Sequence, residues 1–143
     1  MNYSKSVYAV LLILLISVIP LTEGKENGKF NSGTGCGCHS QSGSTVATPS
    51  LSGTPAKYTP GQSYQLTISV SGGVSGSGGG FSLDIDKGTM SYMGFAVNIN
   101  SAGDSATHSI TGSSSRTWGL DWTAPNSGSG TVTFRLAAMT SNG

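Results

Sequence analysis

Apolar and polar residues alternate along most of the chain after residue 45, and this alternation is typical of strands that bury one face. The clearest run follows the turn signal Pro60-Gly61 and places Tyr64, Leu66, Ile68 and Val70 on one face. Four later faces have the same period: Phe81, Leu83 and Ile85; Met93, Phe95, Val97 and Ile99; Trp118, Leu120 and Trp122; Val132, Phe134 and Leu136. A further short strand is expected at residues 107–111.

Glycine-rich stretches at residues 71–80 and 126–130 separate these runs and predict loops. No segment after residue 24 shows a sustained helical period. The pattern therefore predicts an all-β chain, an antiparallel, immunoglobulin-like β-sandwich of about seven or eight short strands.

The first 24 residues have the pattern of a secretory signal peptide. Lys5 precedes an apolar run at residues 7–19, Pro20 ends that run, and Thr22 and Gly24 are small residues suited to a cleavage site. The run is shorter than the roughly 20 residues of a membrane span. We expect cleavage after Gly24 and export to the cell surface or the extracellular space, with an uncleaved anchor as the alternative.

The low content of charged residues limits the classes of molecule that the protein is expected to bind. Charged residues make up 9% of the chain and the formal net charge is +1, which argues against nucleic acid or an anionic membrane surface as partner. Residues 25–44 are polar, glycine-rich and without periodicity, so they are expected to precede a sandwich domain at residues 45–143. Because residues 141–143 directly follow a strong strand pattern, we also expect that a last strand and a C-terminal membrane or cell-surface anchor are missing.

Both cysteines and one of the two histidines lie within four residues, Cys36-Gly37-Cys38-His39. Thiolate and imidazole ligands this close together indicate metal, haem or redox chemistry. In a c-type haem segment, two cysteines form thioethers and the adjacent histidine binds the iron, so His39 would be the proximal ligand. One residue separates the cysteines here instead of two, which strains the reach to two vinyl groups and leaves attachment through a single cysteine open.

The rest of the chain offers few partners for such a haem. His108 is the other histidine and the first candidate for the distal ligand, with Met90 and Met93 as weaker ones. Trp118 and Trp122 are expected to supply an apolar wall against the porphyrin. This hypothesis makes the protein an exported electron carrier with an unidentified redox partner.

Two other interpretations of the cluster stay open. Cys36, Cys38, His39 and His108 together form a Cys2His2 set that suits zinc or copper. Alternatively, Cys36 and Cys38 form a strained, easily reduced disulfide, and the protein has a function that needs no cofactor.

Nothing in the sequence indicates catalysis. Asp84 and Asp86 share one strand face, but that face points away from the predicted core and is expected to be solvated. No nucleophile elbow or Ser/His/Asp order is visible, so we predict that the protein is not an enzyme.

Five short segments share a further pattern: PGQSYQLT at 60–67, GGGFSL at 78–83, Thr107-His108, WGLDWTAP at 118–125 and GSGTVTF at 128–134. Together they resemble the Reeler-like (reelin N-terminal-like) surface domains, and more closely the prokaryotic choice-of-anchor V group. The family is similar in its Cys-x-x-Cys-His-Ser segment, matched here by Cys36, Cys38, His39 and Ser40. The resemblance implies an exported β-sandwich held at the cell surface, and it offers a second function: a surface adhesion or ligand-binding module without a cofactor.

Overall fold

The structure is a computed structural model, and it describes residues 27–35 and 46–142. Within these ranges the chain forms eight strands and one short 3₁₀ helix, Thr111–Ser114. The strands are β1 (Ala47–Ser52), β2 (Ser63–Gly72), β3 (Gly78–Ile85), β4 (Thr89–Tyr92), β5 (Val97–Ile99), β6 (Ser105–His108), β7 (Thr117–Thr123) and β8 (Phe134–Ser141). The predicted all-β class is confirmed.

The strands form two four-stranded antiparallel sheets in the orders β1-β2-β7-β4 and β5-β6-β3-β8. One edge of the sandwich brings β1 against β8, and the opposite edge brings β4 against β5. The connection between β4 and β5 therefore crosses from one sheet to the other.

The core lies between the sheets and consists of the inward faces that the alternation predicted. Its fully buried large side chains are Leu66, Ile68, Leu83, Trp118, Leu120 and Trp122. Both indole N–H groups are satisfied: Trp118 donates to the Gly112 carbonyl at 2.9 Å, and Trp122 donates to that of Lys87 at 3.1 Å. Because a buried polar group without a partner is costly, these bonds let tryptophan serve as a core residue here.

The prediction of a loop over residues 71–80 is wrong at both ends. Strand β2 extends to Gly72, and Gly78, Gly79 and Gly80 already belong to β3, where all three are buried. The reason is close packing. A Cβ at Gly79 would lie 3.2 Å from the Trp118 ring, and one at Gly80 would lie 2.6 Å from Cε1 of His108. Glycine here allows two aromatic side chains to rest on the strand.

The predicted apolar face from Met93 to Ile99 is wrong in its first half and confirmed in its second, where Val97 is buried and Ile99 packs against the core. Strand β4 ends at Tyr92 and β5 begins at Val97, and the turn between them exposes Met93 and Phe95. The chain changes sheets at this point, so the period of two cannot continue. The other boundaries shift by a few residues: β6 ends at His108, and Val132 precedes β8.

Candidate functional site

Residues 27–35, which we call the N-terminal strap, lie across the outer face of the β5-β6-β3-β8 sheet. Three consecutive strap N–H groups donate to side chains of β3 and β6: Asn31 to Ser105 Oγ at 2.9 Å, Ser32 to Ser82 Oγ at 3.1 Å, and Gly33 to Asp84 Oδ2 at 2.7 Å. At the start of the strap, Asn27 Oδ1 accepts from the Ile110 N–H at 3.2 Å. The strap therefore covers a polar row that the sequence pattern alone presents as solvated.

Asp84 is the centre of this attachment. Besides the strap, its carboxylate accepts a hydrogen bond from Ser105 Oγ at 2.6 Å, and Ser105 is fully buried. Asp84 and Asp86 both face outward as predicted, but Asp84 is half-buried beneath the strap instead of fully solvated. Asp86 is exposed, and a hydrogen bond from the Thr133 backbone lowers the pKa of its carboxyl. The two carboxylates serve different partners and do not converge on a common site.

His108 ends β6, and its ring lies half-buried between Gly28 of the strap and Gly80 of β3. Its Nδ1 is 3.2 Å from the Phe81 N–H, which donates to it, and 3.5 Å from the Phe81 carbonyl oxygen. Burial lowers the pKa of His108 and a hydrogen bond with the Phe81 backbone partly opposes that shift, so the imidazole is neutral at pH 7.

This geometry determines what His108 can offer to a metal. In the tautomer whose Nδ1 accepts from the Phe81 N–H, the proton of the neutral ring is on Nε2, which then has no free lone pair. A ligand histidine usually has the other tautomer, with Nδ1–H donating to a backbone carbonyl. The Phe81 carbonyl lies within 3.5 Å of Nδ1, so one residue supplies the partner for either tautomer. His108 therefore offers Nε2 to an iron, copper or zinc ion in the tautomer whose Nδ1–H donates to the Phe81 carbonyl.

The remaining predicted ligands, Cys36, Cys38 and His39, lie outside the described residues. Haem attachment, a copper or zinc site, and a disulfide between the cysteines thus remain predictions. In the part of the chain that the structure describes, no three His, Cys, Asp or Glu side chains are grouped as a metal site. The described ranges also contain no helix that is long and apolar enough to cross a bilayer.

The other residues that were expected to contact a haem bound to His108 do not lie beside it. Trp118 and Trp122 are buried inside the sandwich, and so is Met90. Met93 lies against Gly119 of the opposite sheet. Instead, Met139 of β8 is the register partner of Gly80, the glycine on which the His108 ring rests. The sequence pattern missed Met139 because the last apolar alternation was followed only to Leu136.

A cleft of about 390 Å³ opens at the other end of the sandwich, away from the connection that follows His108. It is lined by Pro55, Ala56, Lys57, Tyr58, Trp122, Gly130, Thr131, Val132 and Phe134. Trp122 lies at its floor, in edge-on contact with Tyr58 and Phe134 at ring-centroid distances of 6.0 and 5.1 Å. The Tyr58 hydroxyl donates to the Gly130 carbonyl at 2.8 Å and so joins the two lining loops. Sequence reasoning missed this cleft because loop residues that are distant in sequence form most of it.

Comparison with known proteins supports the fold. The structure is similar to the crystal structure of the human F-spondin reeler domain (fragment 1), with a TM-score of 0.52, 21% identity, and coverage of 67% of this chain and 76% of that one. Fragment 2 of the same domain gives a TM-score of 0.52 and 22% identity over 66% of this chain and 78% of that one. The crystal structure of the Reelin-N domain of F-spondin gives a TM-score of 0.51 and 22% identity, with coverage of 67% of this chain and 73% of that one.

No family model and no curated protein matches the sequence. At these identities the structural likeness shows the fold alone. The fold is that of a Reeler domain, as the resemblance of the sequence implied.

Proposed function

We propose that the protein is an exported, Reeler-like surface module that binds a ligand without a cofactor. The Reeler-like fold supports a module of this kind, and the predicted signal peptide at residues 1–24 supports export. The observation that carries the proposal is the cleft between residues 55–58 and 130–134.

The composition of the cleft indicates the class of ligand. Its volume of about 390 Å³ is within the usual range for small-molecule sites, and its aromatic floor favours a flat apolar group. Lys57 is the charged side chain among the lining residues, so a carboxylate or another anionic group on the ligand would complement it. We therefore place a small aromatic or apolar acid, or a peptide end of that chemistry, in this cleft.

Phenylacetate is a suitable probe for this site, with the protein labelled for amide NMR. We expect binding on the order of millimolar, as for a fragment of this size, with shift changes confined to residues 55–58 and 130–134. Tyr58→Ala removes one wall and the bond to Gly130, so it should weaken binding about tenfold or more.

The control for this variant is Tyr92→Ala, which removes an exposed tyrosine from β4, outside the residues that line the cleft. It should bind phenylacetate like the wild type. Shift changes spread over the surface, or an equal loss in both variants, would contradict the proposal.

A second candidate function is electron transfer through a c-type haem. His108 favours it, because the backbone of Phe81 offers a partner for either tautomer of the ring. In this candidate one or both of Cys36 and Cys38 would tether the haem, His39 would be the proximal ligand, and His108 would be the distal ligand. The haem would supply a one-electron couple for exchange with a redox partner, and the chain would supply attachment and orientation.

A further inference from the structure

One side of the cleft is formed by a loop that belongs to neither sheet. Residues 124–133 connect β7 to β8, and Gly130, Thr131 and Val132 of this loop line the cleft. We call residues 130–133 the cleft wall. Gly130 has a φ of 71°, and a Cβ placed on it would meet no atom within 4 Å. The backbone of the wall is therefore neither in a strand ladder nor closely packed at this point, so its position depends on contacts from outside the loop.

Two consecutive residues after β3, Asp86 and Lys87, supply such contacts. The Asp86 carboxylate accepts from the Thr133 N–H at 2.7 Å, and the Asp86 N–H donates to the Thr133 carbonyl at 3.3 Å. The Lys87 ammonium donates to the Thr131 carbonyl. Hydrogen bonds that involve a charged group are stronger than neutral ones. These bonds hold the backbone on both sides of Val132, which lines the cleft.

The same turn is also bonded to the floor of the cleft. Trp122 donates from its indole nitrogen to the Lys87 carbonyl at 3.1 Å, and a Cβ on Gly88 would lie 2.5 Å from that nitrogen. Trp122 is 1% exposed, so the core holds its ring in place. Residues 86–88 therefore connect a fixed floor to a wall that lacks ladder partners.

We propose that Asp86 and Lys87 are positioning residues of the cleft, which hold its wall at the separation from Tyr58 that a ligand requires. Neither side chain is among those that line the cleft, so both act through the wall. A wall that is already in place costs no ordering when a ligand binds, whereas a loose wall lowers the affinity by the free energy of ordering it. The role in binding rests on the proposed function, but the ordering of the wall does not.

Backbone ¹⁵N relaxation of the free protein tests the ordering of the wall without any ligand. We expect order parameters of about 0.85 at residues 131–133 in the wild type, and of about 0.6 or less in Asp86→Ala and Lys87→Met. Asp86→Asn keeps an acceptor oxygen and Lys87→Arg keeps a donor, so both should restore much of the order. Rescue by these variants attributes the effect to the hydrogen bonds.

Titration with phenylacetate tests the consequence for binding. Asp86→Ala and Lys87→Met should each weaken the affinity by about three- to tenfold, because the ligand then has to order the wall. Asp104→Ala is the matched control, because Asp104 is also an exposed acid in a turn, and it is bonded to Asn100 between β5 and β6. It should retain the wild-type affinity and order parameters.

The outcomes separate this inference from the proposed function. Order parameters at residues 131–133 that stay at the wild-type value in Asp86→Ala and Lys87→Met would overturn the inference. So would an unchanged affinity in variants whose wall has become mobile. A wild type that does not bind phenylacetate would instead contradict the proposed ligand, and the relaxation data would still decide whether Asp86 and Lys87 hold the wall.

Discussion

Trp118→Ala is expected to lower the free energy of unfolding by about 3–5 kcal/mol, the largest effect of any single substitution proposed for this protein. Trp118 is 2% exposed and packs against Phe81 at a ring-centroid distance of 4.9 Å. The change leaves a large cavity between the sheets and removes the donor to the Gly112 carbonyl. Denaturant unfolding followed by far-UV circular dichroism measures the loss.

Two further variants make this result interpretable. Trp118→Phe keeps most of the apolar volume but loses the indole N–H, so it should cost about 1–3 kcal/mol and remain folded if the alanine variant does not. Phe95→Ala removes a ring that is 92% exposed and should change stability by no more than about 0.5 kcal/mol. Equal losses at positions 118 and 95 would contradict the packing of the sandwich.

Asp84→Ala is expected to cost about 2–4 kcal/mol and to release the N-terminal strap. The carboxylate accepts from the strap at Gly33 and from Ser105, and the substitution leaves both donors without this partner at a position that the strap covers. Trypsin cleavage after Lys29 reports the release directly, because this exposed lysine belongs to the strap and lies four residues before Gly33. We expect cleavage to become several-fold faster.

Asp86→Ala is the natural comparison, since Asp86 lies two residues further along and also faces outward. It accepts from Thr133, whereas the strap residues 27–35 bond to Ser82, Asp84 and Ser105, so cleavage after Lys29 should stay at the wild-type rate. Asp84→Asn keeps one acceptor oxygen and should lie between the wild type and Asp84→Ala. If the two alanine variants were cleaved equally fast, Asp84 would not be what anchors the strap.

The faces of β2, β3 and β7 could be predicted from the sequence because each is long enough for a period of two to be visible. Leu66, Leu83 and Leu120 are each at most 1% exposed, as their alternation indicates. The start of β3 could not be predicted from the sequence, because three consecutive glycines show no alternation of apolar and polar residues. They belong to a strand because the rings of Trp118 and His108 pack on Gly79 and Gly80. The exposure of Phe95 could not be predicted either, because it results from the crossing of the chain from one sheet to the other between β4 and β5.

The position of the strap could not be predicted from the sequence either. Residues 27–35 have no periodicity, and their attachment depends on Ser82, Asp84 and Ser105, which alternate with apolar residues as solvated positions do. Only the hydrogen bonds show that this polar face is covered. Of the predicted site, the structure describes His108 alone, and it places that ring beside the strap.

The absorbance spectrum of the exported protein, produced together with a cytochrome c maturation system, tests the central claim most directly. The proposed cofactor-independent module predicts a colourless protein with no Soret band, and an identical spectrum for the double variant Cys36→Ser with Cys38→Ser. A Soret band in the wild type that disappears in the double variant would contradict this account and establish the haem.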